Sequence, residues 1–213
     1  MSEGQVAALL LWLVLLAFSL NASLLRTLHA NPLYQHLCLG SAIVLVPLWT
    51  LRAGLHEGLE IHFLGLTSLT LLLGWRLALL APCLTLLILG AFGVTDLAEF
   101  GWQALIGIAL PVATSWLLFL GSWAWLPRHL FVYLFVAAFL GGALSISVKI
   151  LASALLMGMS GAYPWHAIGA DYLSIWPLLL FPEALLNGMA MTLLAVYRPH
   201  WVSTFFDREY LGR

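Results

Sequence analysis

Long apolar segments recur along the whole chain, and the short segments between them hold most of its charged residues. A helix needs roughly 20 apolar residues to cross the hydrocarbon core of a bilayer. The pattern predicts seven membrane-spanning helices, at residues 6–25, 37–51, 63–75, 77–94, 102–120, 129–157 and 173–197. Because lipid-exposed open sheets leave backbone groups unpaired and membrane barrels alternate with a period of two, we expect an all-α integral membrane protein.

The third predicted helix is the shortest, and its end is marked by Gly74 and by Pro82 just beyond it. This pattern is typical of a tight reversal or a broken helix, which is tolerated where it packs against protein or lines a cavity. If residues 63–94 form one hairpin-like unit, the count falls from seven spans to six. Either count uses nearly the whole chain, so residues 1–213 are expected to form a single polytopic membrane domain.

The positions of the arginines predict the orientation, because Lys and Arg near helix ends favour the cytoplasmic side. With seven spans and a cytoplasmic C-terminus, six arginines lie in cytoplasmic loops: Arg26, Arg76, Arg128, Arg198, Arg208 and Arg213. The opposite loops hold only Arg52. We therefore expect the N-terminus outside, the C-terminus in the cytoplasm, and a multi-pass protein of the cell inner membrane. The six-span alternative scatters the arginines over both sides.

Composition excludes several classes of function. Hydrophobic residues make up 63% and charged residues 8% of the 213 positions, against roughly 25% charged in a soluble domain. The net charge of −1 offers no basic face to nucleic acid, so membrane lipid is the expected surrounding. The predicted spans hold no central histidine for a membrane haem or an intramembrane protease, and the sequence lacks a P-loop for ATP. We expect neither an enzyme nor a permanently bound cofactor.

A loop before the third predicted helix has the side chains of a metal site. His56, Glu57, Glu60 and His62 lie within seven residues, and imidazole nitrogens and carboxylate oxygens suit divalent transition metals. A zinc protease site is disfavoured, because Glu60 stands where an HExxH motif needs its second histidine. A solvated loop histidine is the alternative interpretation of His56. For His62, at the start of a predicted helix, structural and metal-binding roles both stay open.

Three polar residues are predicted to lie inside the membrane, where such groups are costly and therefore functional candidates. Lys149 lies in the sixth predicted helix, and Glu183 and Asn187 lie in the seventh. A spacing of four places Glu183 and Asn187 on one helix face. One interpretation is that Lys149 and Glu183 pair, or that each meets a backbone carbonyl or a hydroxyl group, and so fix helix packing. The other is a role in cation passage or gating.

Three segments carry a family resemblance. Residues 62–74 (HFLGLTSLTLLLG) place a histidine before a helix that contains Gly and Thr and ends at Gly. Residues 100–104 (FGWQA) are followed by Pro111, and residues 182–189 (PEALLNGM) lie in the last predicted helix. In motif order and helix layout the chain from about residue 55 onward resembles the CbiM/NikM-type permeases, the subunits that capture cobalt or nickel for energy-coupling factor transporters.

The resemblance implies a function, partners and a ligand. Such a subunit binds a divalent transition metal, cobalt or nickel, as its substrate and works with a transmembrane coupling subunit and two ATPase subunits. It implies that His62 is a metal ligand. Those proteins begin Met-His, and the terminal amine and that histidine complete the nitrogen shell of the metal. This sequence has Ser2 after Met1 instead, so either the site is rebuilt from other residues, or the metal differs, or metal transport has been lost.

The leading hypothesis is a permease that takes up a divalent transition-metal cation from the outer face, with His62 as ligand and His56, Glu57 and Glu60 as auxiliaries. Separate ATPase and coupling subunits would supply its energy. The alternative is a non-transporting membrane subunit that assembles with or regulates a larger complex. A third hypothesis is a gradient-driven transporter of an organic substrate such as a vitamin.

Overall fold

The computed structural model describes residues 2–53 and 61–210, which form a helical protein with one very short sheet. Its helices are α1 (Glu3–Ser19), α2 (Ala22–Ala30), α3 (Pro32–Thr50), α4 (Leu66–Leu73), α5 (Trp75–Ala91), α6 (Leu97–Trp125), α7 (Leu130–Met159), α8 (Trp165–Tyr197) and α9 (Asp207–Tyr210). Strands β1 (Arg52–Ala53) and β2 (Ile61–His62) pair antiparallel between α3 and α4. The predicted all-α membrane class is confirmed.

Four helices are long and apolar enough to cross a membrane, namely α3, α6, α7 and α8. Helix α1 and residues 24–30 of α2 form a fifth candidate span, bent by 71°. Helix α5 is apolar but has only 17 residues. The part of the chain that the structure describes therefore contains four or five candidate spans and shorter apolar helices. The count of seven and the orientation stay predictions.

Several predicted helix ends are wrong, and local chemistry explains why. The first predicted helix divides after Ser19, and the Asn21 side chain accepts a hydrogen bond from the Leu24 N–H at the start of α2. Helix α3 begins at Pro32, where the Asn31 side chain caps it. Helices α6 and α8 both begin before their predicted starts, and each contains π-helical turns.

The predicted helix at 63–75 is shorter than expected. It is broken from the next helix at Gly74, as predicted, whereas Pro82 lies inside α5 and does not mark the break. Gly65 precedes α4 with a φ of +66°, and Gly74 follows α4 with a φ of +78°. Glycine adopts such angles at little cost, whereas other residues are strained. Eight helical residues span only about 12 Å. Helix α4 therefore cannot cross a bilayer by itself.

Helix α4 lies in the interior of the protein. Seven of its eight residues are buried, and the helix packs against α5, α6, α7 and α8. A helix that is buried on all sides lies in the centre of a packed bundle. His62, before its first turn, lines a cavity, and the Thr204 hydroxyl of the C-terminal segment donates to the Leu71 carbonyl near its end. The position of α4 thus sets the position of His62, which lies four residues before it.

Candidate functional site

His62 is held by its neighbours in one orientation. Its partner across the strands is Arg52, and its ring lies 5.3 Å from the ring of Trp49. The Trp49 indole N–H donates to the Leu64 carbonyl at 3.1 Å. The Nδ1 atom of His62 lies 2.9 Å from the Phe63 carbonyl oxygen, which can only accept. Nδ1 therefore carries the proton, and Nε2 is left with a free lone pair in the neutral ring.

The hydrogen bond of His62 leaves one ring atom for a metal. Because Nδ1 donates to the Phe63 carbonyl, Nε2 is the nitrogen that can bind a metal ion when the ring is neutral.

A cavity of about 450 Å³ lies beside His62. Its aromatic lining is Trp49, Trp102, Tyr163 and Tyr172. Its polar and charged lining is Arg52, His62, Glu99, Gln103, Lys149 and Ser153. Helices α3, α6, α7 and α8 all contribute to the wall. His62 and Lys149 therefore line the same cavity, although they are 87 positions apart in the sequence.

The first turn of α1 lies at the same end of the protein. The Gln5 side chain donates to the carboxylate of Glu99 at 2.6 Å, and Glu99 lines the cavity. Ser2 is used as the helix cap, since its hydroxyl accepts from the Gln5 N–H at 3.3 Å. Gly101 packs so closely on the α1 backbone that a Cβ would lie 2.5 Å from the Leu9 nitrogen. This close contact fixes α1 beside the cavity wall.

Glu183 and Asn187 hold the backbone that follows His62. The carboxyl oxygens of Glu183 accept from the N–H groups of Leu64 at 2.9 Å and Gly65 at 2.8 Å. The Asn187 side-chain amide donates to Glu183 at 2.8 Å, and its oxygen accepts from the Ser68 N–H at 2.8 Å. Both residues are fully buried. The prediction that Glu183 and Asn187 share one face of the last helix is confirmed. Together they accept hydrogen bonds from backbone N–H groups at the start of α4.

Lys149 is not the partner of Glu183. Within residues 2–53 and 61–210, Lys149 forms neither a hydrogen bond nor a salt bridge, although it is only 8% exposed. It lines the cavity together with His62. The interpretation in which Lys149 and Glu183 form a salt bridge is therefore wrong, because both oxygens of Glu183 are bonded to the backbone before α4.

A cluster of three hydroxyls joins α4, α6 and α7. The hydroxyl oxygens of Thr67, Ser115 and Ser145 lie 2.7 to 2.9 Å from one another. All three residues are fully buried, and the Pro111 carbonyl accepts from Ser115 and Ser145. Sequence reasoning did not single out this cluster. The sequence feature that could have indicated this cluster is the presence of hydroxyl residues within apolar helices.

The remaining predicted ligands, His56, Glu57 and Glu60, lie outside the described residues. Among the residues that are described, no three His, Cys, Asp or Glu side chains are grouped so that they could hold a metal ion. His62 is the one predicted ligand that the structure places.

The three segments that carry the family resemblance meet around α4. The side chains of Glu183 and Asn187, in residues 182–189, accept hydrogen bonds from backbone N–H groups in residues 62–74. Residues 100–104 contribute Trp102 and Gln103 to the cavity beside His62. The motifs therefore form one connected region.

A family model, CbiM, described as "Cobalt uptake substrate-specific transmembrane region", matches residues 2–201. No curated protein and no solved structure matches the chain. The match covers nearly the whole chain and agrees with the helical membrane fold and with the transport class expected from the sequence. The chain therefore belongs to the CbiM family, the substrate-specific transmembrane components of cobalt uptake, and it is a multi-pass membrane transport subunit rather than an enzyme.

Proposed function

We propose that the cavity is where this chain captures its divalent cation, of the cobalt or nickel type, and that Nε2 of His62 is a ligand. The observation that carries this proposal is the fixed tautomer of His62, whose Nδ1 is bonded to the Phe63 carbonyl. A neutral imidazole oriented by such a bond is a typical ligand for cobalt and nickel. The adjoining cavity gives the substrate room to reach it.

His56, Glu57 and Glu60 are the proposed auxiliary ligands. The pairing of β1 with β2 places Arg52 opposite His62. Arg52 and His62, the described residues before and after the segment that holds these three side chains, both line the cavity. Nitrogen and carboxylate oxygen from such a segment would complete a coordination shell that Nε2 alone cannot fill.

Glu183 and Asn187 are positioning residues in this proposal. Their polar atoms are used by the backbone of residues 64–68 and by each other, so they are not available to the cation. They act on the substrate through the loop that carries His62. A shift of this loop by 1 Å would misplace Nε2, and metal ligation tolerates only small changes in distance.

Separate subunits would supply the energy for transport. The sequence contains no P-loop, and the CbiM family implies an energy-coupling factor transporter. A transmembrane coupling subunit and ATPase subunits are therefore the proposed partners.

We infer seven crossings, with the N-terminus outside and the C-terminus inside. Residues 61–65 are largely extended and add about 16 Å to the roughly 12 Å of α4. Together, residues 61–65 and α4 would reach from the cavity to the opposite end of the protein while surrounded by other helices. Arg128 and the C-terminal segment, which pair through Glu209, lie at that opposite end. The positive-inside tendency places this end in the cytoplasm.

The orientation can be tested by cysteine labelling from outside. His129, just before α7, and Ser160, just after it, are both exposed and lie on opposite sides of the membrane in the proposed topology. A membrane-impermeant maleimide should label Ser160→Cys in intact cells and His129→Cys only after lysis. The native Cys38 and Cys83 are buried. Labelling of His129→Cys in intact cells would contradict the topology.

Uptake of radioactive cobalt tests the function. Cells would produce the chain with its coupling and ATPase subunits, as wild type, His62→Ala or His36→Ala. His36 is an exposed histidine on α3 and serves as the matched control. We expect uptake in wild type and His36→Ala and a loss of more than tenfold in His62→Ala. Equal uptake in His62→Ala would refute the ligand, and no uptake in wild type would favour the non-transporting alternative.

A further inference from the structure

We propose that the carboxylate of Glu99 is a further ligand of the cation in the cavity. This inference rests on the proposed function and adds a ligand from α6 to those proposed from the chain around His62. Glu99 and His62 both line the cavity. An imidazole nitrogen and a carboxylate oxygen together form a donor set that suits divalent transition metals.

The start of α6 places Glu99 in the cavity wall. The Asp96 side chain accepts from the Ala98 N–H at 2.8 Å and caps the turn in which Glu99 lies. Gln103 follows Glu99 by four residues on the same helix, and it also lines the cavity. Residues four apart share one face of a helix, so this face of α6 forms part of the cavity wall.

The Gln5 side chain orients the Glu99 carboxylate. Its amide nitrogen donates to Oε1 of Glu99 at 2.6 Å, and its own oxygen accepts from the Ser2 N–H at 2.6 Å. Hydrogen bonds of this kind hold ligating carboxylates in place in metal sites. In the two stretches of chain that the structure describes, Oε2 of Glu99 has no hydrogen-bond or ion-pair partner. Oε2 is therefore the atom that can bind a cation.

Attachment of α1 to α6 does not require a charge at this position. Glu99→Gln would keep an acceptor for Gln5 through the new amide oxygen. The close packing of Gly101 on the backbone of Leu9 also joins the two helices. What the carboxylate adds is a negative charge at the wall of the cavity, and a negative charge attracts a divalent cation.

Cobalt titration of the purified full-length chain, followed by infrared difference spectroscopy at saturating cobalt, tests the inference. Glu99→Gln removes the charge and keeps the acceptor for Gln5, whereas Gln5→Leu removes the hydrogen bond that orients the carboxylate. Glu3→Gln is the matched control, because Glu3 is an exposed carboxylate in the same turn of α1 as Gln5 and does not line the cavity. The melting temperature of each metal-free variant reports on folding.

We expect Glu99→Gln to bind cobalt at least tenfold more weakly than wild type, with a metal-free melting temperature close to that of wild type. Cobalt should shift one carboxylate stretching band fewer in this variant, because the bound carboxylate is gone. Gln5→Leu should weaken binding less than Glu99→Gln and keep the band, since it changes only the orientation of the ligand. Glu3→Gln should match wild type in both measurements.

Cobalt binding by Glu99→Gln as tight as in wild type would overturn the inference. Weaker binding with every carboxylate band retained would also overturn it, because Glu99 would then act only through other residues. Equal losses of affinity in Glu99→Gln and Gln5→Leu, with a lower melting temperature in both, would mean that Glu99 serves only to attach α1. None of these outcomes affects the proposed function as long as His62→Ala loses cobalt. If wild type bound no cobalt, the proposed function itself would fail.

Discussion

The two ends of α4 are held by different chemistry. At its start, a buried carboxyl and a buried amide from α8 bind the backbone that carries His62. At its end, the Ser203 N–H donates to the Leu72 carbonyl at 2.9 Å, and the Thr204 hydroxyl donates to the Leu71 carbonyl at 2.7 Å. Side chains of α8 hold the start of α4, and residues of the segment that follows α8 hold its end.

The end of α4 needs this support because Gly74 interrupts the helix. The carbonyls of its last turn have no following helical N–H groups within α4, so other donors must satisfy them. Tyr133 extends the arrangement, since its hydroxyl lies 2.8 Å from Thr204, which already donates to Leu71. Tyr133 is therefore the donor to Thr204. None of these groups is charged.

We therefore expect stability and binding to be separable along this one short helix. The start of α4 is continuous with the loop of His62, so damage there should weaken both folding and cobalt binding. The end of α4 lies away from the cavity, so damage there should weaken folding alone. Substitutions at the two ends test this division.

Glu183→Ala should have the largest effect. It removes the acceptor of two backbone N–H groups and of the Asn187 amide. Because each orphaned buried donor costs about 1–3 kcal/mol, we expect a loss of about 3 kcal/mol in the free energy of unfolding. Cobalt affinity should fall at least tenfold. Thermal unfolding in detergent and calorimetry measure the two quantities.

The matched control for Glu183 is Thr192→Val. Thr192 is exposed on the same helix and bonds only to the Gly188 carbonyl of its own helix. It should change neither quantity measurably. If Glu183→Ala lowered the melting temperature but left cobalt affinity unchanged, the start of α4 would not position the site, and the division would fail.

Asn187→Ala should have the next largest effect. It removes the acceptor of the Ser68 N–H and one donor to Glu183, while Glu183 keeps both of its backbone bonds. We expect a loss of about 2 kcal/mol and a smaller decrease in cobalt affinity than in Glu183→Ala. The same two measurements check this order. An affinity lower than that of Glu183→Ala would reverse the assigned roles.

Tyr133→Phe tests the other end of α4. It removes one buried hydroxyl that donates to Thr204, so the expected loss is about 1 kcal/mol. Cobalt affinity should stay within twofold of wild type. Tyr197→Phe, at a tyrosine that is 71% exposed, is the control. A clear loss of cobalt affinity in Tyr133→Phe would show that the two ends are not separable.

Arg128→Gln should have the smallest effect. Arg128 pairs with Glu209 on the surface and lies 4.2 Å from the centre of the Trp123 ring. Exposed pairs contribute about 0–1 kcal/mol and are screened by salt. We expect a decrease in melting temperature that disappears at high salt. A decrease that persists at high salt would mean that packing on Trp123, rather than charge, holds the C-terminal segment.

Local patterns predicted the membrane class and the features that depend on nearby residues. The apolar segments predicted the helices, and the spacing of four predicted that Glu183 and Asn187 share a face. Their partners lie 119 residues away and could not be predicted from one sequence. The start of α4 was misplaced because hydrophobicity continues through residues 63–65, whereas the backbone turns at Gly65.

For the candidate site, too, the residue was predicted but its partners in the fold were not. The chemistry of His62 marked it as a ligand candidate, but the carbonyl that fixes its tautomer and the ring of Trp49 depend on the fold. Lys149 was recognised as costly inside a membrane, but one of the interpretations left open for it, a salt bridge with Glu183, was wrong. A helical pattern places a residue on a face of its own helix, and it does not say which helix packs there.

The cobalt content of purified protein tests whether His62 binds the cobalt ion. Wild type, His62→Ala and the His36→Ala control would be purified, equilibrated with limiting cobalt, separated from free metal and analysed for elements. We expect stoichiometric cobalt in wild type and His36→Ala and its loss in a folded His62→Ala. Cobalt retained in full by His62→Ala would contradict it.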